Sequence, residues 1–414
     1  MQDSRKGKRV LIYSHDSFGL GHLRRCREIA HTLADAHKSL SVLILSGSPI
    51  IGSFDFRARV DFVRVPGVIK LRNGDYTSLA LHIDVDQTLA MRASIIEHTA
   101  EFFDPDLFIV DKEPLGLRGE VEATLAMLRD RGTPCVLGLR DVMDEPGLLA
   151  PEWERKQVVP ALQRYFDDIW IYGLPQICDP LEGIELPDSV RKRMTYTGYL
   201  KRSLPKVSPH VALEKISEPY LLVTVGGGGD GEAIIDWVLR AYEADPKLPF
   251  PALLVLGPFM NSEAQSDFQA RVAQLAKVEA VTFETHLESL MDRAIGVVCM
   301  GGYNTFCEVL SFDKRALVIP RTEPRMEQHI RASRAQDLGL VRMLRDDGRR
   351  DAQLMATALR NLPQQGRPSD VVVPGLLDGP ANVVRLSEYW LQRGSSNLSV
   401  AGPASTGPRK KRRL

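Results

Sequence analysis

The stretch from Tyr220 to Gly231 decides the fold, and it reads YLLVTVGGGGDG. Its first six residues are mostly apolar and predict a short buried strand, whereas the next six contain five glycines and predict a turn of bare backbone. From Glu232 to Tyr242 apolar residues recur at helical spacing. A strand, a glycine loop and a helix in this order are typical of the opening of a doubly wound α/β domain.

The same order occurs near the start of the chain. Residues 9–13 predict a strand, Ser14 to Gly21 form a turn-like loop, and His22 to Ala36 have helical periodicity. Further strands are predicted at 40–45, 61–65, 107–110, 135–139 and 169–172, and in the second half at 252–256, 280–283, 296–300 and 316–319. We therefore predict an α/β fold of two Rossmann-like, doubly wound domains whose glycine loops face a common cleft.

The predicted domain boundaries follow composition. We expect a first domain over residues 1–200, a linker over 201–219 that contains three prolines, and a second domain over 220–394 that closes with a helix at about 381–393. Residues 395–414 carry five basic residues and no acid among Ser, Gly and Pro, and we expect a disordered basic tail.

Charge and cysteine content restrict the function classes. The chain has 53 basic and 53 acidic residues, which argues against a nucleic-acid binder that relies on global charge. Five cysteines without a CxxC pair disfavour a disulfide framework or a zinc site and fit a reducing cytosol. No apolar run is long enough to predict a transmembrane helix, so we expect a cytoplasmic protein. The basic tail predicts contact with an anionic membrane surface, with a role in solubility as the alternative.

The glycine loop of the second half suits a phosphate. The backbone amides of Gly226, Gly227, Gly228 and Gly229, together with Asp230, precede a helix start, where the helix dipole favours an anion. The alternative is a tight turn that needs positive φ. A dinucleotide site requires an acid at the end of the next strand, but Gly257 and Pro258 stand there, so a nicotinamide or flavin enzyme is disfavoured.

A further glycine site begins at Gly301 and Gly302, again between a predicted strand and a predicted helix. Asn304 and Thr305 can donate hydrogen bonds to a phosphate, and Glu308, one turn further on, can accept them from ribose hydroxyls. The alternative for Glu308 is a solvated helix acid.

The second half resembles the donor-binding half of the two-domain GT-B glycosyltransferases, most closely the MurG type, which uses UDP-N-acetylglucosamine and a lipid-linked acceptor. The two glycine sites and the later stretch 319–332 carry this resemblance over about residues 220–345. It implies that Glu308 holds the ribose of UDP, that Glu327 and Gln328 contact the donor sugar or its phosphates, and that Thr285 and His286 lie along the uracil edge. It also implies that the first domain binds the acceptor and the second the donor.

The first loop, residues 19–26, is similar to the Gly-x-Gly-His loop of the MurG type. This resemblance implies that Gly21 contacts the donor. It is equally similar to the Gly-His-x-x-Arg-Cys loop of a nucleotide-sugar hydrolase of pseudaminic acid synthesis. His22 is the candidate base, since the helix dipole disfavours imidazolium at a helix start. The alternative is a histidine that caps the helix or holds a phosphate.

Asp111 follows the predicted strand 107–110 and should point toward the cleft. It either orients His22 or acts as the base itself, with an ordinary strand-end acid as the alternative; Asp16 is a weaker candidate for the orienting role. Arg24, Arg25 and Arg27 fit an anionic acceptor, but pairing with Glu28, Asp16 or Asp35 is the favoured interpretation.

We therefore predict a glycosyltransferase, hexosyl or N-acetylhexosaminyl, that moves a sugar from a UDP-sugar to an acceptor that is lipid-linked, a glycan or a small molecule. The resemblance implies inversion at the sugar. We expect UDP-sugar as co-substrate, no further cofactor and no metal, because glycine amides and helix starts can stabilise the leaving diphosphate. The alternatives are a nucleotide-sugar hydrolase and a non-catalytic nucleotide-sugar-binding protein.

Overall fold

Two parallel sheets, one from each half of the chain, form the frame of the molecule. The computed structural model describes residues 7–16, 20–70, 76–205, 213 and 215–397. In these residues the first sheet has seven strands in the order β3-β2-β1-β6-β7-β8-β9, and the second has six in the order β12-β11-β10-β13-β14-β15. The predicted pair of doubly wound α/β domains is confirmed.

The first half contains the helices and strands of the seven-stranded sheet and its surroundings. In chain order they are β1 (Lys8–Ser14), α1 (Gly21–Ala36), β2 (Leu40–Ser46), β3 (Val60–Arg64), β4 (Val68–Lys70), β5 (Tyr76–Ser78), α2 (Val85–Phe103), β6 (Leu107–Asp111), α3 (Glu122–Asp130), β7 (Cys135–Arg140), α4 (Pro146–Arg155), α5 (Val158–Tyr165), β8 (Asp168–Tyr172), α6 (Asp188–Arg191) and β9 (Met194–Tyr196), fifteen in all. Strands β4 and β5 pair with each other as an antiparallel hairpin outside the main sheet.

The second half continues the numbering. Its elements are β10 (Leu221–Thr224), α7 (Glu232–Ala244), β11 (Ala252–Val255), α8 (Ser262–Ala273), β12 (Val278–Val281), α9 (Leu287–Arg293), β13 (Gly296–Cys299), α10 (Tyr303–Ser311), β14 (Ala316–Val318), α11 (Glu327–Asp337), β15 (Arg342–Met343), α12 (Ala352–Asn361) and α13 (Gly379–Asn397). We call the seven-stranded sheet with α1–α6 and α13 the first lobe, and the six-stranded sheet with α7–α12 the second lobe.

The central strands are short apolar runs because helices cover both faces of each sheet. All five residues of β6 and all four of β10 are buried. Strand β1 lies between β2 and β6, and β10 lies between β11 and β13, so the strand order reverses at β1 and at β10. Ligands of such sheets bind in the crevice at this reversal, beside the carboxyl ends of the strands. The loops before α1, α7 and α10 all lie there.

The glycines after β10 have packing reasons of their own. Gly228 has φ +89°, and a Cβ atom there would stand 2.4 Å from the carbonyl oxygen of Leu256. A Cβ atom at Gly231 would stand 2.2 Å from the Cβ of Val225, and Gly226 has φ +65°. The alternative of a tight turn that needs glycine therefore accounts for much of this loop.

The last described helix packs on the first lobe. We predicted it at about 381–393 within the second domain, but α13 runs from Gly379 to Asn397 and packs beside α1. Trp390 Nε1 donates to Asp168 at 3.2 Å, and Asn382 Nδ2 donates to the carbonyl oxygen of Thr197 at 2.8 Å. Residues 395–397 of the predicted tail belong to this helix, and 398–414 lie outside the described residues.

The chain leaves the first lobe and returns to it at one place. Tyr199 N donates to the carbonyl oxygen of Leu376 at 2.8 Å, and Gly379 N donates to that of Tyr199 at 3.2 Å. A Cβ atom at Gly198 would stand 2.4 Å from the carbonyl oxygen of Gly375, so the two crossing segments are in direct contact. Among the described helices, none combines the length and the apolarity needed to cross a bilayer.

Candidate active site

A cavity of about 250 Å³, called the cleft below, lies between the two lobes at the carboxyl ends of their strands. The predicted site residues that line it are Gly21, His22, Gly226, Gly227, Asp230, Thr285, Gly302, Asn304, Thr305, Glu327 and Gln328. Six others stand behind its wall or beside it, namely Asp111, Gly228, Gly229, His286, Gly301 and Glu308. The structure thus gathers most of the predicted site in one place.

His22 and Asp111 are in direct contact. His22 is in the first turn of α1, Asp111 is the last residue of β6, and His22 Nδ1 lies 2.5 Å from Asp111 Oδ2. Arg25, one turn further along α1, donates from Nε and Nη2 to the two carboxylate oxygens of Asp111 at 2.8 Å each. Asp111 is therefore fixed by two groups of one helix, and it in turn fixes the imidazole ring.

The surroundings set the protonation of this pair. Burial lowers the pKa of His22 below 6.5, although the Asp111 carboxylate acts in the opposite direction, so the imidazole is neutral near pH 7. Burial raises the pKa of Asp111, but Arg25 and His22 outweigh it and hold that pKa well below its usual value. Nδ1 lies 2.5 Å from Asp111 Oδ2 and 3.1 Å from Arg25 Nη2. Because the carboxylate is the nearer group and can only accept, we place the proton of neutral His22 on Nδ1, which leaves Nε2 free to accept one.

A second and larger cavity, of about 680 Å³, lies against the first lobe and is called the first-lobe cavity below. Its walls include His15, Tyr76, Lys112, the loop 113–119 after β6, and Arg325 of the second lobe. His22 lines this cavity as well as the cleft. The histidine therefore stands on the wall that the two spaces share.

Glu308 is buried rather than solvated. Its side chain is 0% exposed, and its Oε1 pairs with Arg24 of the first lobe, which also donates to Glu288 at 2.9 Å. Burial raises the pKa of Glu308 to about 7. Glu308 Oε2 is also buried and has no hydrogen-bond partner among the described residues. The alternative of a solvated helix acid is wrong.

Two other predicted ligand residues tie the lobes together. Asn304 Nδ2 donates to the carbonyl oxygen of Gly21 at 2.9 Å, while its Oδ1 accepts from Arg202 Nη2 at 2.7 Å. His286 is buried and its Nε2 lies 3.1 Å from Asp55 Oδ2 of the first lobe. Both side chains thus have protein partners across the cleft.

Arginines line the cleft around the predicted donor residues. Arg140, the last residue of β7, pairs with Glu327, and Arg321 pairs with Asp230. Burial opposes the ionisation of Glu327, but Arg140 and the other nearby guanidinium groups outweigh it and lower the pKa of Glu327 to about 2. Gln328 Oε1 accepts from the backbone N–H of Arg321 at 3.2 Å.

Sequence reasoning missed Arg140 and gave Arg321 no role. A signal for Arg140 was available, because it is the first polar residue after the apolar run of β7, as Asp111 is after that of β6. The same signal marks Arg321, which is the first polar residue after the apolar run of β14, with Pro320 between them.

The arginines of α1 are paired, but not with the acids that we predicted. Arg24 pairs with Glu288 and Glu308, Arg25 with Asp111, and Arg27 Nε donates to the carbonyl oxygen of Asp55 at 2.7 Å. Asp16 instead accepts from the backbone N–H of Leu23 at 3.1 Å and from Ser46 Oγ at 2.5 Å, so it holds the start of α1 rather than His22. Glu28 pairs with Arg202, and Asp35 with Arg57.

The fold and the cleft define a class of protein. The chain has the GT-B architecture, two parallel-sheet lobes around an interlobe cleft, as found in the glycosyltransferases to which it is similar in structure. Within the second lobe, residues 221–367 match the glycosyltransferase family 28 C-terminal domain. This match supports a sugar transferase.

Three solved structures illustrate the likeness. CalG4, the calicheamicin glycosyltransferase, has 15% identity and a TM-score of 0.59, with 96% of this chain and 100% of that chain covered. UGT2 of Phytolacca americana, complexed with UDP-2fluoro-glucose and pterostilbene, has 14% identity and a TM-score of 0.58, with 95% of this chain and 99% of that chain covered. Acinetobacter baumannii MurG has 11% identity and a TM-score of 0.52, with 94% of this chain and 99% of that chain covered. Comparison with curated protein sequences finds no significant match.

These likenesses establish the fold and do not single out one type of GT-B enzyme. The MurG type is one of several that are similar to this chain, so the predicted MurG likeness remains a prediction in its specific form.

Proposed function

We propose that this protein is a glycosyltransferase that moves a sugar from a UDP-sugar in the cleft to an acceptor hydroxyl in the first-lobe cavity. One observation carries the proposal: neutral His22, held through Nδ1 by Asp111, lies on the wall shared by the two spaces. An imidazole in that position can take a proton from an acceptor on one side while the donor is attacked on the other.

The proposed step is a single displacement. The acceptor oxygen forms a bond to the anomeric carbon, its proton passes to His22 Nε2, and the bond from that carbon to UDP breaks. Attack from the side opposite the leaving diphosphate inverts the anomeric centre. Asp111 holds the ring and stabilises the imidazolium that forms, in the role that a buried carboxylate has in other His–Asp pairs.

The second lobe supports a nucleotide-sugar donor. The family 28 match covers the loops before α7 and α10, and UDP-2fluoro-glucose is bound by the structurally similar UGT2. The amides of Gly226 and Gly227 and the guanidinium groups of Arg140 and Arg321 line the cleft and are suited to a diphosphate. Because these groups can stabilise the leaving UDP, we expect turnover without a metal ion.

The first-lobe cavity favours transfer over hydrolysis. A hydrolase needs room for water beside the base, whereas about 680 Å³ beside His22 accommodates a whole acceptor. The Asp111 contact to His22 likewise favours an enzyme over a non-catalytic binding protein.

Substitution of the base tests the proposal. We would measure UDP affinity by calorimetry and UDP release from UDP-glucose and UDP-N-acetylglucosamine across an acceptor library, for the unchanged protein, His22→Gln and the control His98→Gln. His98 is an exposed histidine of α2. We expect His22→Gln to bind UDP normally and to lose about 10²–10⁴-fold in turnover, the usual contribution of general base catalysis, while His98→Gln retains full activity.

The other outcomes separate the alternatives. Free sugar released at full rate without any acceptor would favour a nucleotide-sugar hydrolase. UDP binding without turnover of either donor by the unchanged protein would favour a non-catalytic binding protein. Absence of UDP binding would overturn the assignment of the cleft to a nucleotide.

A further inference from the structure

The first-lobe cavity has an excess of cations in its walls. Five basic side chains line it, two acidic ones accompany them, and they are Lys112, Arg118, Arg155, Lys156 and Arg325 against Glu113 and Glu152. A water-filled hollow lined mainly by one sign of charge concentrates ligands of the opposite sign. The composition of the walls therefore favours an anionic occupant.

The two carboxylates are shared among three of the cations. Glu113 lies 3.0 Å from Lys156 Nζ and 3.7 Å from Lys112 Nζ, and Glu152 accepts from Lys156 at 2.7 Å and from Arg325 at 3.1 Å. Arg155 forms no ion pair with any described residue. Outside the cavity lining, Arg325 also pairs with Asp144 at 3.2 Å and Arg118 with Asp86 at 3.4 Å. The least compensated cations of the cavity are therefore Lys112 and Arg155.

Lys112 is the cation with the greatest need of a partner. Its side chain is 12% exposed, and in the described part of the chain the 3.7 Å approach to Glu113 is the closest that its Nζ makes to an acidic group. Burial, and next the positive charge of Arg140, lower the pKa of Lys112 to about 8. An anion bound at Nζ would relieve both effects.

The chain places this lysine beside the proposed base. Lys112 directly follows Asp111, and it has φ +66°, a left-handed conformation that side chains other than glycine and asparagine rarely adopt. Its backbone N–H donates to the carbonyl oxygen of Gly138 at 2.8 Å, which fixes this conformation. The conformation sets the direction in which the Lys112 side chain leaves the end of β6.

We propose that the first-lobe cavity selects an acceptor that carries an anionic group, a phosphate or a carboxylate, and that Lys112 binds this group. The inference deepens the proposed function and rests on it, since the cavity is an acceptor site only if His22 is the base. Lys112 would then hold the anion while the acceptor hydroxyl faces His22. The three arginines at the start of α1 have no such role, because each already has a partner within the protein.

Binding of small aromatic probes to the UDP-saturated protein tests the inference. Calorimetric titrations would compare benzyl phosphate, benzoate and benzyl alcohol, with the nucleotide site filled so that it cannot take the phosphate. We expect one or both anions to bind and the alcohol to bind at least tenfold more weakly. Lys112→Asn, which removes the charge and tolerates a left-handed backbone, should weaken the preferred anion about tenfold or more. The control Lys192→Asn, at an exposed lysine after α6, should leave the affinity unchanged.

Each outcome has a distinct meaning. Benzyl phosphate ahead of benzoate assigns a phosphate, and the reverse order assigns a carboxylate. If UDP binds and the anions bind no better than the alcohol, or Lys112→Asn binds them as well as the unchanged protein, the inference is overturned while the proposed function stands. If UDP itself does not bind, both fall. Should Lys112→Asn fail to fold, Lys112→Gln, which keeps more of the aliphatic stem and removes the charge, decides the matter by the same loss of anion affinity.

Discussion

At the scale of single residues, the contacts of Asp111 distinguish the two roles that the sequence left open, which are orientation of His22 and action as the base itself. A carboxylate that accepts two hydrogen bonds from Arg25 and a third from His22 is stabilised in its ionised form and is a weak base. Its low pKa therefore favours orientation of His22 over proton abstraction by Asp111 itself.

The pH profile of Asp111→Asn tests this division of roles. His22 must be neutral to accept a proton, so kcat/KM should rise with pH through a pKa below 6.5 and be level at pH 7. The Asp111 carboxylate raises the pKa of His22, so its removal should shift the acidic limb to lower pH and reduce the plateau by about 10²-fold or more. The measurement is kcat/KM from pH 4.5 to 9, with Asp267→Asn, on the exposed face of α8, as the control. An unshifted acidic limb would contradict the orienting role.

The limits of sequence reasoning are visible in individual residues. His22 and Asp111 were predictable because each stands where a parallel strand or the following loop reaches the crevice, and Lys112 and Arg140 occupy equivalent places that the same rule would have found. The burial of Glu308 was not predictable, because it depends on Arg24, which is 284 positions away in the chain and on the other lobe.

At the scale of elements, the glycine loop after β10 combines two kinds of glycine. Gly228 is required by close packing against Leu256, whereas a Cβ atom at Gly226 or Gly302, which line the cleft, would meet no other atom within 4 Å. Gly302 is the clearest of these, because it lies before α10 with φ −59° and a Cβ atom added there would meet no other atom within 4 Å. One group supports the fold, and the other leaves backbone amides accessible from the cleft.

A pair of alanine substitutions distinguishes the two kinds. Gly228→Ala should lower the free energy of unfolding by about 2 kcal/mol or more, because it adds both positive-φ strain and a clash with backbone. Gly302→Ala should leave it within about 0.5 kcal/mol and instead weaken UDP binding, because the new methyl group projects into the cleft that Gly302 lines. Urea denaturation and UDP calorimetry measure the two effects. Equal stability of both variants would show that the packing at Gly228 is unimportant.

One strand boundary shows why a sequence pattern can misplace an element by a few residues. We predicted the third strand of the second sheet over 280–283, but β12 spans Val278–Val281. A charged residue, Glu279, interrupts the apolar run, yet it is buried and accepts from the backbone N–H groups of Lys215 and Ile216 at 3.0 and 3.3 Å. A carboxylate that satisfies backbone donors of a distant segment has no signature in local periodicity.

At the scale of the whole molecule, a buried ion pair joins the lobes. Arg331 of α11 donates to both oxygens of Asp141, which follows β7, at 2.7 Å each, and both side chains are fully buried. Tyr199 donates to the same carboxylate at 2.7 Å, and Arg331 also donates to the carbonyl oxygen of Gly301 at 2.9 Å. The lobes are therefore held in one arrangement beside the cleft.

Removal of one partner of the Arg331–Asp141 pair should lower the stability of the protein. Arg331→Met leaves Asp141 buried without its counter-charge and should lower the free energy of unfolding by about 3–5 kcal/mol. The control Arg334→Met changes an arginine of the same helix that is 63% exposed, and it should shift stability by about 0.5 kcal/mol or less. Thermal and urea unfolding give both values. A small loss at Arg331 would show that water or a neighbouring side chain replaces the guanidinium at Asp141.

The docking of α13 was beyond sequence reasoning for a related reason. Its amphipathic pattern predicts a helix with one buried face, and the structure has that face against the first lobe, with Val383 fully buried. The pattern itself does not identify the surface that covers it. Its position in the chain predicts that it belongs to the second domain. Order in the chain does not decide this, because a helix of this kind can pack on either of two similar lobes.

The contact between the segments at Tyr199 and Leu376 has a practical consequence for engineering. Because the chain leaves the first lobe and returns to it at neighbouring positions, the second lobe is an insertion within the first. Under the proposed function, replacing the second lobe with that of another glycosyltransferase, by two joins at these neighbouring points, should change the donor sugar and keep the acceptor.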